Sequence, residues 1–164
     1  MPVNLELKLK VISHREIINK LNSINALFKK TLYQKDIYYS FPNGLLKLRV
    51  EGKNSFLIKY LRDEKGKRFS KYEILNLKGK QPENYLSEIF TVDAIVQKKR
   101  KLYSYNNTRI HLDEVKSLGK FIELETLVVK NRQLAQNEFR EVIKLLDLNL
   151  ADQIRTSYKN LILK

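Results

Sequence analysis

The segment "NLELKLKV", Asn4 to Val11, alternates apolar and polar positions with a period of two. Successive strand side chains point to opposite faces, so Leu5, Leu7, Leu9 and Val11 share one face and Asn4, Glu6, Lys8 and Lys10 the other. Further strands are predicted at "KDIYYSF", "LLKLRVE", "SFLIKYLR" and "RFSKYEIL", punctuated by turns at "PNG", "GKN" and "DEKGK". "TVDAIVQKKRKLYSY" reads as one long strand or two successive ones. A hairpin turn at Asn106–Asn107 leads to "TRIHLDEV", and a turn containing Gly119 leads to "KFIELETLVV". The period changes in "SHREIINKLNSINALF", where Ile17, Ile18, Leu21, Ile24 and Leu27 recur at helical spacing. This predicts a helix over 14–28 with Ser13 as N-cap, since Ser13 and Glu16 have capping-box spacing. A short helix is expected at "PENYLSEIF", a long one over roughly 131–147, and a helical tail at "LADQIRTSYKNLIL". With no internal repeat, low-complexity run or linker, the expectation is one domain over 1–164.

The polar faces of these strands are unusually rich in charge. Lys47 and Arg49 share a face, as do Lys98 and Arg100, Glu123 and Glu125, and the set Arg109, His111 and Asp113. Lys59 opposes Ile58 and Tyr60, and Lys71 with Glu73 opposes Tyr72 and Ile74. A half-solvated antiparallel sheet explains any one strand. The whole set, poor in neutral polar residues, fits amphipathic helices covering the outside of a closed sheet, with the charges turned into a polar lumen. Closure also removes exposed strand edges.

Composition sharpens this. The chain has 164 residues, 43% of them hydrophobic, which places it among globular proteins. It has no cysteine, so disulfides and thiolate metal sites are excluded. No signal segment or membrane-length apolar run occurs, and a cytoplasmic location is expected. Lys and Arg total 32 against 18 acids, a net charge of +14 that attracts anions. Basic residues converging from several strands suit a polyphosphate, Arg by bidentate contacts and Lys as a point charge. Carboxylates among them suit Mg²⁺ or Mn²⁺, which bridge phosphate oxygens.

In order along the chain, "NLELK", "LKLR", "SKYE", "VQKKR" and "TRIHLDEVKSLGKFIELE" resemble the signature segments of the CYTH family, the triphosphate tunnel metalloenzymes. "QKDIYY" and "SYKNLIL" are similar to flanking elements of its class IV adenylyl cyclase-like subgroup. The resemblance implies an α+β fold: a closed eight-stranded antiparallel β-barrel with a charged lumen and helices packed outside. It implies metal bound by Glu6, Glu123 and Glu125. It implies triphosphate held by Lys8, Lys47, Arg49, Lys59, Lys98, Arg100 and Arg109, and a catalytic set of Glu6, Lys8, Arg100 and Asp113. Three positions depart from the family pattern: Asn4 stands where it has a carboxylate, and Lys47 and Lys71 where it has Arg. Asn4 can offer a ligand oxygen but no charge, and it cannot serve as a base for water.

The function implied is conversion of ATP to cyclic AMP and pyrophosphate. The alternatives are hydrolysis of tripolyphosphate, thiamine triphosphate or a nucleoside triphosphate, and non-catalytic binding of a polyphosphate or nucleotide. Nucleic acid is the weaker partner, since no aromatic-and-basic stacking platform is evident. No membrane partner is expected, and apolar helix faces leave room for a homodimer. His111 is read as a bystander rather than a general base, and Tyr38, Tyr39 and Tyr60 as barrel packing.

Overall fold

The computed structural model describes residues 2–62 and 69–164; the turn expected at "DEKGK", 63–67, lies outside them. The described residues form eight strands: β1 (Val3–Val11), β2 (Leu27–Tyr39), β3 (Leu45–Glu51), β4 (Asn54–Arg62), β5 (Phe69–Leu77), β6 (Val92–Tyr105), β7 (Thr108–Val115) and β8 (Gly119–Leu127). They also form helices α1 (Arg15–Ser23), α2 (Pro82–Ile89), α3 (Arg132–Leu145) and α4 (Tyr158–Leu163). The strands close into an antiparallel barrel in the order β1-β5-β4-β3-β2-β6-β7-β8. No helix among the described residues is long and apolar enough to cross a membrane.

Two apolar layers lie outside the barrel. Leu5, Leu7 and Leu9 of β1, Ile110 and Leu112 of β7, and Ile122 and Leu124 of β8 pack against Ile17 and Leu21 of α1 and Phe139 and Val142 of α3. Leu86 of α2 covers Ile37, Tyr39 and Leu48 on β2 and β3. A third cluster lies at one end of the barrel. There Tyr38, Val96, Val115 and Phe121 pack with Tyr158, Leu161 and Ile162 of α4. These four strand residues alternate in phase with the charged positions, so they face inward and fill that end.

Three local expectations change. Helix α1 stops at Ser23 rather than reaching residue 28, because Asn25 adopts φ 57°. The Ala26 N–H then donates to the Leu21 carbonyl at 2.9 Å and the Asn25 N–H to Asn22 at 3.1 Å, a left-handed helix cap. Leu27 is thereby released to begin β2, which runs beside nearly all of β6, a single strand. Ser13 sits one residue outside the cap position, where its hydroxyl accepts from the Arg15 N–H. The tail is broken, not continuously helical. After a 3₁₀ turn at Leu150–Asp152, Gln153 bridges Leu9 and the Ile154 N–H donates to the Lys8 carbonyl at 2.8 Å. Among the described residues the β1–β5 pairing runs from Val3 to Leu5, and the tail pairs with β1 further along, at Lys8 and Leu9. In the β2–β3 turn a side chain on Gly44, at φ +131°, would run into the Tyr60 carbonyl, so this tight approach requires glycine.

Candidate active site

The lumen is a cavity of ≈ 570 Å³, within the range of small-molecule sites. Asn4, Glu6 and Lys8 enter it from β1, Lys47 and Arg49 from β3, Lys98 and Arg100 from β6, Arg109 and His111 from β7, and Glu123 and Glu125 from β8. Register places the key groups side by side: Glu6 opposite Glu125, Lys8 opposite Glu123, and His111 opposite Glu123 on its other flank.

Asp36 of β2 organises the first cluster. It is fully buried (0% exposed) and accepts from Lys47 Nζ at 3.0 Å, Lys98 Nζ at 3.1 Å, and Arg49 Nε and Nη2 at 2.8 and 2.7 Å. Burial alone would raise its pKa, but Arg49, Lys47 and Lys98 outweigh burial and hold the carboxyl well below the usual carboxylate range. Three cations around one carboxylate leave an excess of positive charge. Burial therefore pushes Lys98 down to about 7, with Asp36 opposing and Arg49, Arg100 and Lys47 adding to the fall. Such a cluster is a ready site for a polyanion.

This crowding makes stability depend on pH. Unfolded, Lys98 holds its proton up to its ordinary 10.5; folded, it releases it near 7. Below pH 7 the folded protein carries the strained charged form, and the strain is relieved as pH rises through 7 towards 10.5. Lys98→Met should therefore be more heat-stable than the natural protein at pH 7. The gap should shrink steadily by pH 10 in thermal melts; a constant gap would refute the crowding.

Arg100 organises the second cluster. Its Nε and Nη2 each donate to Asp113 at 2.6 Å, and Nη2 also donates to Glu123 Oε2 at 3.0 Å. The Tyr158 hydroxyl donates to Asp113 Oδ2 at 2.8 Å. Lys8 lies 3.6 Å from Glu123 Oε1, donates to the Thr156 carbonyl at 3.0 Å and sits 4.0 Å above the Tyr158 ring. Burial opposes ionisation of Glu123, but Arg100 and Lys8 keep it well below the normal range. The tail from Gln153 to Tyr158 thus builds part of the lumen wall.

The carboxylates suit a hard divalent cation. Ligand atoms of His111, Glu123 and Glu125 lie within 4.8 Å of one another. Two buried lumen atoms, Asn4 Oδ1 and His111 Nδ1, have no hydrogen-bond partner among the described residues. Unsatisfied donors and acceptors beside paired carboxylates fit Mg²⁺ or Mn²⁺ in this region. Glu6, expected as a metal ligand, lines the same wall, but its Oε2 accepts from the Tyr60 hydroxyl and it is outside the three-residue cluster.

Two placements need correction. Lys59 does not face the lumen: it is paired outside with Glu73 at 2.9 Å, and both are about half exposed. The reason is that β4 and β5 turn Phe56, Ile58 and Tyr60, and Tyr72, Ile74 and Asn76, inward instead. Asp113, expected in the catalytic set, is fully buried behind Arg100 and does not line the cavity. Its oxygens are taken by Arg100 and Tyr158, so it positions the guanidinium. Asp36 was not singled out by the sequence, although "LKLR" and "VQKKR" facing one another call for a buried counter-charge between them. The placement of His111 among the carboxylates was equally unmarked.

The CYTH domain profile matches residues 3–158. A protein of Methanocaldococcus jannaschii, named as a candidate adenylate cyclase, is 25% identical over 97% of this chain and 98% of its own length. A conserved hypothetical protein of Pyrococcus furiosus superposes with TM-score 0.82 at 24% identity, covering 96% of this chain and 99% of its own. A Hippeastrum protein, described as a candidate adenylyl cyclase with a dominant triphosphatase activity, superposes with TM-score 0.61 at 13% identity, covering 90% and 89%. The ordered signature segments, the closed barrel with its charged lumen and the match over residues 3–158 agree: this chain belongs to the CYTH family, the triphosphate tunnel proteins.

Proposed function

We propose that this chain is a metal-dependent enzyme acting on an organic triphosphate, with adenylyl cyclase-like chemistry converting ATP to cyclic AMP and pyrophosphate. The observation that carries this reading is the polarity of the lumen. β1, β3, β6, β7 and β8 supply charge, whereas β4 and β5 line their side with Phe56, Ile58, Tyr60, Tyr72 and Ile74. Lys47 stands opposite Ile58 and Ile58 opposite Ile74, so the apolar wall runs directly beside the cations. An inorganic tripolyphosphate would leave that wall facing water, while a nucleotide base and sugar would cover it.

Lys47, Arg49 and Lys98 would hold the outer phosphates, releasing part of their hold on Asp36. Arg100, fixed by Asp113, and Lys8 would stabilise charge where the phosphorus–oxygen bond breaks. Glu123, Glu125 and Glu6 are the carboxylates proposed to hold the metal, which when bound neutralises phosphate charge. In the cyclase reaction the ribose 3′-oxygen bonds to the α-phosphorus, the bond to the β-phosphate oxygen breaks, and pyrophosphate leaves. The hydroxyl proton passes to water. Asn4 cannot draw a proton from an attacking water, which disfavours hydrolysis. Hydrolysis is the competing reading, because the fold is shared with the Hippeastrum protein and does not itself choose between the two outcomes.

The test is a product analysis. The protein is incubated with ATP, tripolyphosphate and thiamine triphosphate in turn with Mg²⁺ or Mn²⁺, beside Glu125→Gln and Asn4→Glu. Cyclic AMP with pyrophosphate from ATP, lost in Glu125→Gln, is the expected result. Orthophosphate lost in the same variant would replace the cyclase with a triphosphatase. No turnover in the natural protein, with activity gained in Asn4→Glu, would make it a binding protein.

A further inference from the structure

His111 stands between the two carboxylates that the lumen offers to a cation. On β7 it is opposite Glu123 in the β7–β8 register, and Arg109, two residues before it, is opposite Glu125. The imidazole is 5% exposed, and its Nδ1 has no hydrogen-bond partner among the described residues. Nδ1 lies 3.8 Å from Glu125 Oε1 and 3.9 Å from Glu123 Oε2. These distances are too long for hydrogen bonds. They fall between the separations of about 3 Å and about 4.5 Å that adjacent and opposite donors take when they share one ion with bonds of about 2.0–2.3 Å. A buried ring nitrogen left without a partner is costly, so the arrangement is explained by something that occupies the space between the three groups.

A neutral imidazole keeps one ring nitrogen with a lone pair to give, and Nδ1 is the nitrogen that lies beside the two carboxylates. The carboxylates are already engaged elsewhere: Glu123 by Arg100 and Lys8, and Glu125 by Arg109 through Oε2 at 2.8 Å. Glu125 Oε1 and His111 Nδ1 are the pair of atoms left facing each other.

We infer that His111 is a metal ligand through Nδ1, alongside Glu123 and Glu125, and that this nitrogen donor selects Mn²⁺ or another first-row transition ion over Mg²⁺. An imidazole adds little for Mg²⁺, which prefers oxygen donors and keeps its waters, whereas transition ions gain from nitrogen. The inference extends the metal-dependent reading above, but binding tests it, so it stands or falls separately from which product forms.

The experiment titrates Mn²⁺ and Mg²⁺ into the full chain without nucleotide, following Mn²⁺ by its electron paramagnetic resonance signal and Mg²⁺ by competition. Mn²⁺ should bind at least roughly tenfold more tightly than Mg²⁺, and bound Mn²⁺ should show nitrogen modulation in the electron spin echo. His111→Gln should lose that modulation and weaken Mn²⁺ by roughly tenfold or more, with much less effect on Mg²⁺. Mn²⁺ bound without nitrogen modulation would overturn the assignment, as would equal losses for both ions or no Mn²⁺ binding at millimolar concentration. The spectrum of the natural protein decides the matter even where His111→Gln fails to fold.

Discussion

Asp36→Ala should be the most damaging single substitution in the barrel. It removes a carboxylate that accepts four hydrogen bonds from three cations and has no exposure to water. Lys47, Arg49 and Lys98 would be left together in the lumen without a counter-charge. Breaking a buried ion pair by deleting one partner costs about 3–5 kcal/mol, and here the orphaned charges also repel one another. A typical domain has only about 5–15 kcal/mol to lose, so the variant should give up a large share of its stability and melt far below the natural protein. The cause can be separated from ordinary packing loss by adding an anion. Tripolyphosphate should restore much of the melting temperature of Asp36→Ala, because it supplies the missing negative charge in the same place. Sulfate at matched ionic strength should do less. A variant as stable as the natural protein, or one that tripolyphosphate leaves unchanged, would show that Asp36 is not the counter-ion of the cationic cluster.

Truncation after Asp152 should have a comparable effect by a different route. It removes Ile154, Tyr158, Leu161 and Ile162, which pack on Tyr38, Val96, Val115 and Phe121. It also removes the Thr156 carbonyl that anchors Lys8 and the hydroxyl that donates to Asp113. At about 1.5–3 kcal/mol for each fully buried apolar side chain, and less for the partly covered ones, the loss is about 4–8 kcal/mol. The expected outcome is an aggregating protein without a cooperative melt. Tyr158→Phe keeps the ring and loses only the charge-assisted hydrogen bond, so it should melt cooperatively, destabilised by about 1.5–3 kcal/mol. A truncated chain that melts as the full one does would mean that the tail merely decorates the barrel.

The parts of this structure legible in the sequence are those where leucine and isoleucine recur on one strand face and charge dominates the other. In β1, β7 and β8 the leucines and isoleucines pack under α1 and α3, so the period-two pattern separates inside from outside. In β4 both phases contain apolar residues: Phe56, Ile58 and Tyr60 on one, Leu57 and Leu61 on the other. A lone Lys59 tips the pattern the wrong way, because the outer surface there is solvated and accepts a lysine paired with Glu73. Asp36 was hidden for a related reason. It lies among Ile37, Tyr38 and Tyr39, and a single acid in an apolar run looks incidental until three cations from β3 and β6 meet it. The tail's helical pattern was overridden by the backbone of β1, which draws Gln153 and Ile154 into extended pairing at Leu9 and Lys8. Local propensity carries no information about such a distant pairing partner.

The inward apolar cluster beneath α4 buries Tyr38, Val96, Val115 and Phe121 at one end of the barrel. A ligand that entered there would first have to displace packed side chains, so passage through that end is tied to unpacking of the tail. The same contacts that hold α4 on the barrel would then set how fast that end opens.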